Sequence, residues 1–344
     1  MIKGRFNLAV RTFRSVALTA VLLGTGLLAA DPAAAAPTEA AFLTDGTAWM
    51  TDFGNALARS LAEQEITLQV VPPATPLPEA QAEKLAELEK SGASVLIVWP
   101  ANPFEAGATF KNGKPGKPVL LLGADAPDSG RKAAITVDPE VLGRLFADLV
   151  RQCVPEGLLI GLLARHLDDP WVESLRKTLT EELQGSEIQV RQVVEDKGDP
   201  GAARENAREL LEKHPELAGY VAVEPYQLTA LAAAAADAKR AGYVGLTGTG
   251  WPETLGEPLE KGFVNGVVYP DVKALAALLA PMIRAAAAGD SAFAWPESGQ
   301  TAMPLATRFT PKPYGVTEML HGLPGNWDIK APAGKTEPPA GKFD

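Results

Sequence analysis

GDPGAARENARELLEKHPELAGYVAVEP, residues 198–225, is the stretch whose reading decides the fold. PGAARENARELLEKHPE reads as a helix opening on a proline. LAGYVAVEP reads as a short, almost wholly apolar strand, and YQLTALAAAAADAKRAG reads as the next helix. A strand apolar on both faces is covered on both, which is the habit of parallel sheets flanked by helices. The same alternation extends outward in both directions. Towards the N-terminus lie the strand EAAFLTDG, the helix WMTDFGNALARSLAEQ with apolar residues at helical spacing, and the strand ITLQVVP. PEAQAEKLAELEKSG follows as an amphipathic helix with Gly92 as C-cap, then the strands SVLIVWP, KPVLLLGAD and ITVD. The helix PEVLGRLFADLVRQC precedes a restart of the pattern at GLLIGLLARH, PWVESLRKTLTEELQG and IQVRQVVED. Beyond the opening stretch come YVGLTGTG, the helical turn PETLGEPLEKG, the strand FVNGVVYP and the long helix DVKALAALLAPMIRAAAAG. Two successive runs predict an α/β chain of two doubly wound, parallel-sheet lobes.

The ends read differently. Residues 1–15 carry Lys3, Arg5, Arg11 and Arg14, residues 16–30 are an apolar run, and small residues follow around Ala35 and Ala36. That layout predicts a cleavable secretory signal over residues 1–36, because the run is short of the roughly 20 residues a membrane span needs. Export implies a periplasmic chain with no integral membrane segment. From Thr310 the chain is rich in Pro, Gly and Lys. Its last fourteen residues read as disordered, and Tyr314, Leu320 and Trp327 are able to pack on a lobe.

The formal net charge is −10, and the leader is itself basic, so the remainder is more acidic still. An acidic chain disfavours nucleic acid and anionic membranes as partners. Cys153 is the single cysteine, so no intramolecular disulfide forms; it reads as a small buried residue rather than a reactive thiol. His166, His214 and His321 lie far apart in sequence and no pair has metal-ligand spacing, so no metal is expected. GTGWPE lacks the third glycine of a dinucleotide fingerprint, and KNGKPGKP lacks phosphate-loop spacing and reads as a solvated loop. No nucleophile elbow, zinc motif or Cys–His signature is present. No catalytic constellation and no cofactor is expected, and the chain reads as a non-enzyme.

The ordered series of segments resembles the periplasmic sugar-binding proteins of the ribose-binding, repressor-core-like type, the type I solute-binding proteins of ABC importers. Residues 40–308 carry the resemblance. FLTDGTAWMTDFGNALARSLAEQ is similar to the first strand and helix, and LEKSGASVLIVWPAN to the third strand. ITVDPEVLGRLFADLV is similar to the first crossover. The stretch from residue 198 to Ala235 is the nearest match, and GLTGTGWPE and GFVNGVVYPD stand at the glycine loop and return strand. The resemblance implies lobes joined by three crossings, near Thr136, over 268–270 and over 296–304, that close on a ligand by hinge motion. The lobes would comprise 37–135 with 270–297, and 136–269 with 298–309, leaving 310–344 as an extension.

The resemblance also implies site positions, and here the sequence departs from the family. The early aromatics match Trp49 and Met50, and the asparagine before them matches Thr47. The asparagine after strand three matches Trp99. The aspartate–arginine pair after strand four falls at Gly123 and Ala124, with Asp125 one step on. The second-lobe arginine falls near Glu173, and the asparagine–aspartate pair falls at Val223 and Glu224. The aspartate of the glycine loop falls at Thr249, and the late glutamine falls near Val268. Most sugar-binding polar groups are thus changed. What stands there instead is aromatic: Trp49, Trp99, Trp171 and Trp251 all fall in strand-end loops, where open parallel sheets bind ligands. Acids stand beside them (Asp125, Asp168, Asp169, Glu173, Glu224), and indoles with carboxylates suit a cation as well as a stacked sugar or planar compound. Each indole has a second reading as core or lobe–lobe packing. Arg165 and His166, ending a strand, are further candidates. The expected function is capture of a small, carbohydrate-like ligand by a monomer and its delivery to an ABC permease. The alternatives are a periplasmic sensor for a membrane kinase and an interaction protein acting through its extension.

Overall fold

The computed structural model describes residues 38–311. The expected signal segment and most of the C-terminal extension, including Tyr314, Leu320 and Trp327, lie outside the described residues. Two six-stranded sheets organise the chain. The first contains β1 (Thr38–Leu43), β2 (Ile66–Val71), β3 (Val95–Val98), β4 (Val119–Gly123), β5 (Ala133–Thr136) and, late in the chain, β11 (Gln300–Ala302). The second contains β6 (Leu159–Ala164), β7 (Gln189–Glu195), β8 (Leu217–Ala222), β9 (Gly245–Thr249), β10 (Gly266–Pro270) and β12 (Leu305–Phe309). The orders are 11-5-4-3-1-2 and 12-10-9-8-6-7. All pairings are parallel except that of β10 with β12. The α/β class and the pair of parallel sheets are those expected from the alternation.

Eight α-helices stand among the described residues: α1 (Ala48–Ala62), α2 (Pro78–Leu88), α3 (Pro139–Cys153), α4 (Pro170–Leu183), α5 (Pro200–Lys213), α6 (Pro225–Asp237), α7 (Pro252–Glu260) and α8 (Val272–Ala288), with short 3-10 turns after β3, β4 and α4. Six of them open on a proline, whose fixed φ suits the first turn and whose missing N–H is unpaired there in any helix. Asp138, Asp169, Asp199 and Asp271 cap α3, α4, α5 and α8 through side-chain oxygens that accept backbone N–H groups. In the opening stretch the apolar face of α5 (Ala203, Ala207, Leu210, Leu211) is buried, and β8 is buried along its whole length. Those two faces form one core with α6. The segment 111–118 is a loop, as read, and the turn PETLGEPLEKG is a helix kinked at Gly256 and Pro258.

Three crossings connect the lobes: Thr136 to Pro139, Pro270 to Val272, and Ala302 to Leu305. They are tied side by side, because Met303 N donates to Thr136 O at 2.8 Å and Asp271 N donates to Pro304 O at 2.9 Å. The sequence reading grouped 298–309 with the second lobe. The pairing of β11 with β5 instead places Gln300–Ala302 in the first sheet, so the third crossing falls at Met303 and Pro304. β11 and β12 were not distinguishable in the sequence, since three and five mostly half-exposed residues carry no periodic signal.

Candidate functional site

Each strand order reverses direction at one place: between β1 and β3 in the first sheet, and between β6 and β8 in the second. At such a switch point the loops leave in opposite directions and open a crevice beyond the strand ends. Asp45 and Trp99 follow β1 and β3, and Arg165 and Glu224 follow β6 and β8. All four line one cleft of about 1240 Å³.

The first-lobe wall is an indole corner. Trp49, in the first turn of α1, and Trp99 meet edge to face at 5.8 Å and 90°. Phe53 closes the back of the corner, 5.9 Å from Trp99 and 6.3 Å from Trp49. Both indoles are half-buried, so each packs on the core with one side and faces the cleft with another. Two features hold Trp99 in place. Gln81 of α2, fully buried, donates to Trp99 O at 2.7 Å and Thr44 O at 2.8 Å and accepts from Ala101 N at 2.9 Å. Gly123, at φ +83°, lies flat against the ring, and a Cβ there would sit 2.6 Å from Trp99 Cε2. An indole at 99 and a glycine at 123 are therefore a matched pair. Gly123→Ala is expected to displace the ring and cost about 1–3 kcal/mol by overpacking, measured as a lower denaturation midpoint with an altered tryptophan emission.

The second-lobe wall is built around Arg165. Its guanidinium sits 5.3 Å from the Phe104 ring of the first lobe and 5.9 Å from Tyr226. Its Nη1 reaches Asn102 Oδ1 at 3.5 Å across the cleft, and its Nε lies 3.8 Å from Glu224 Oε1, beyond hydrogen-bond reach. That Nε and the cleft-lining Thr249 hydroxyl are buried without a hydrogen-bond partner among the described residues. Unpaired buried polar atoms are costly, and these two belong to residues that line the cleft. Asp196, buried beneath, accepts from Tyr226 Oη at 2.7 Å and Gln227 Nε2 at 2.5 Å and so fixes the Tyr226 ring.

Burial pushes the Glu224 carboxyl above the usual range; Arg165 works against this, while Asp196 and Asp45 add to it and His166 opposes it. Burial likewise raises Asp45, against hydrogen bonds from Thr47 and the Arg165 charge. A carboxyl raised on folding holds its proton more tightly in the native state. Stability on its account falls as pH rises from the ordinary carboxylate range through the raised value. Glu224→Gln is therefore expected to raise the melting temperature at pH 7, a gain that vanishes below about pH 4 where both states are protonated. Melting curves of the two proteins across pH 4–8 check the sign.

The other expected site residues divide. Thr47 lines the cleft, its hydroxyl donating to Asp45 Oδ1 at 2.6 Å. Trp171 lines it too, but its Nε1 donates to Val137 O at 2.9 Å, on the first crossing. Asp125 lines it with its oxygens engaged: it is paired with Arg131, and Oδ2 accepts from Arg131 Nη2 and Gln300 Nε2, both at 2.6 Å. Burial raises this carboxyl, and the Arg131 and Gln300 hydrogen bonds with the Arg131 charge outweigh it, so the net shift is downward. Three positions fall elsewhere. Met50 is fully buried, because the residue after Trp49 on α1 points into the first-lobe core. Glu173 is exposed on the first turn of α4, away from the cleft lining. Trp251 is buried at 5% exposure and packs edge-on to Phe53 at 5.7 Å and Tyr269 at 5.8 Å, behind the cleft rather than in it. Asp45 and Tyr226 were missed in the sequence. For Asp45 the sequence carries a signal, an Asp-Gly pair at the end of the first strand.

Residues 41–291 match the family model described as a periplasmic binding protein domain. The chain belongs to that family. Among solved structures, GanP, a glucose-galactose binding protein from Geobacillus stearothermophilus, is 16% identical with a TM-score of 0.59, over 79% of this chain and 97% of its own. AraP, an arabinose binding protein from the same organism, is 13% identical with a TM-score of 0.63, over 83% and 98%. A periplasmic ribose ABC transporter structure from Conexibacter woesei is 16% identical with a TM-score of 0.60, over 85% and 96%. At these identities the likeness shows the fold of the periplasmic binding protein domain: two lobes around a cleft. No curated protein matches the chain. Among the described residues no helix is long and apolar enough to cross a membrane.

Proposed function

We propose that this periplasmic binding protein domain captures a small, carbohydrate-like solute between its lobes and hands it to an ABC importer. The cleft carries this reading. It opens at the switch points of both sheets, is walled by two indoles, and is lined by Arg165 and Thr249, whose Nε and hydroxyl are buried without a hydrogen-bond partner among the described residues. Indole faces stack on the C–H face of a sugar ring, and buried polar groups that lack partners discriminate for a hydroxylated ligand. The role is binding rather than catalysis, in the periplasm, with the leader removed. Trp49, Trp99, Thr47, Thr249 and Glu224 are the contacts, joined by Arg165 and Asp45; Asp125 and Trp171 shape the rim.

The test is a melting-temperature screen of the purified protein against monosaccharides, polyols, amines, nucleosides and apolar compounds, with tryptophan emission as second readout. A true ligand at a hundred times its Kd stabilises the native state by about 2.7 kcal/mol and, through Trp49 and Trp99, changes the emission. Stabilisation by apolar compounds or nucleosides alone, with hydroxylated solutes silent, contradicts the reading.

A further inference from the structure

The charge of the cleft goes beyond what a neutral sugar requires. Six acidic side chains line it (Asp45, Asp125, Asp138, Glu140, Asp169 and Glu224) against two basic ones, Arg165 and Lys197, with His166. Four of the acids are accounted for. Asp125 is paired with Arg131, Asp138 and Asp169 cap α3 and α4, and Glu140 pairs with Arg144 on the exposed face of α3. Asp45 and Glu224 remain, lining the cleft from opposite lobes; the Arg165 charge acts on both carboxyls, and the Asp45 charge acts on Glu224 as well. One guanidinium stands between two carboxylates. It reaches Glu224 only as an ion pair at 3.8 Å, and the two Thr47 bonds to Asp45 both go to Oδ1. Lys197 is exposed and pairs with Glu195, so inside the cleft two carboxylates stand against one guanidinium, beside an electron-rich indole corner, an arrangement that attracts cations.

We infer that the solute carries a protonated nitrogen as well as hydroxyl groups, as an amino sugar or aminopolyol does, with the ammonium neutralising the Asp45 and Glu224 carboxylates and the hydroxyls meeting the cleft-lining Arg165 and Thr249. The inference rests on the proposed capture of a hydroxylated solute and adds its charge. An ammonium supplies three donors and no acceptor, matching carboxylates that are short of donors; the ligand hydroxyls supply the acceptors that Arg165 lacks. A second positive charge also replaces water lost from both carboxylates when the lobes close, which a neutral ring cannot do.

Isothermal titration of the full chain with matched pairs tests it: glucosamine against glucose, galactosamine against galactose, aminocyclitols against cyclitols, each amine also as its uncharged N-acetyl form. The expected result is at least tenfold tighter binding of a protonated amine than of its neutral parent and its N-acetyl form, weakening with added salt. Glu224→Gln and Asp45→Asn, each verified as folded by its melting curve, are expected to bring that ratio towards one. A neutral member binding as tightly as its amine overturns the inference and leaves solute capture standing. Binding of an amine that the two variants do not change also overturns it. Failure of every hydroxylated compound, charged and neutral, to bind overturns both readings.

Discussion

Trp251→Ala is expected to lower the stability of the protein by about 3–5 kcal/mol, the range for removing a large aromatic side chain from a packed interior. Trp251 belongs by chain position to the second lobe, as the residue before α7, yet its ring is part of the first-lobe core between Phe53 and Tyr269. The same contact is reinforced nearby, where Thr254 Oγ1 donates to Asp52 Oδ2 at 3.2 Å. Truncation therefore opens a cavity at the joint between the lobes. A urea denaturation series measures the loss directly, and Trp251→Phe is expected to recover more than half of it. A loss under about 1 kcal/mol would place the ring in a site that water already reaches, against the packing described.

Trp99→Ala is expected to do two things at once. Half of the ring is buried against Phe53, Trp49 and Gly123, so stability falls, by about 2 kcal/mol, roughly half the cost of a fully buried aromatic. The other half faces the cleft, so solute affinity falls by about ten- to a hundredfold, the worth of one stacked aromatic face of roughly 1.4–2.8 kcal/mol. The two losses separate in Trp99→Phe, which keeps a ring against Phe53 and an aromatic face in the cleft. Titration and denaturation of the three proteins check both. An alanine variant that loses stability while keeping full affinity would make Trp99 a core residue alone.

The fold was legible because strand–helix alternation is a local pattern. The apolar strands and the Pro-opened, Asp-capped helices could each be read within a dozen residues. The short strands after α8 were not, since β11 and β12 exist only through their pairings with β5 and β10. The site was legible in part for the same reason. A strand end can be located in sequence, which singled out Trp99, while Trp49, Thr249 and Glu224 came from the resemblance as well; the structure places all four in the cleft lining. Which side of a helix a residue faces after the first turn, as for Met50 and Glu173, depends on how that helix docks. Trp251 shows the limit most clearly: its loop sits at a strand end, but the lobes pack at its back, and no local pattern reports which of two faces a neighbour covers. The Asp45–Arg165–Glu224 group was dispersed over 180 residues of sequence, and only the meeting of the two switch points assembles it.

In the proposed function the solute binds between the lobes and draws them together about the three crossings. Two leucines are exposed, Leu77 before α2, which lines the cleft from the first lobe, and Leu167 after β6 in the second lobe, next to the cleft-lining His166. Spin labels introduced through Leu77→Cys and Leu167→Cys, with Cys153→Ala to remove the native thiol, report the distance across the mouth by pulsed dipolar spectroscopy. The distribution is expected to shorten and narrow when the tightest solute of the screen saturates the protein, and to stay at its solute-free position in Trp99→Ala at the same concentration. A distribution unchanged by a solute that titration shows to be bound would contradict capture by closure.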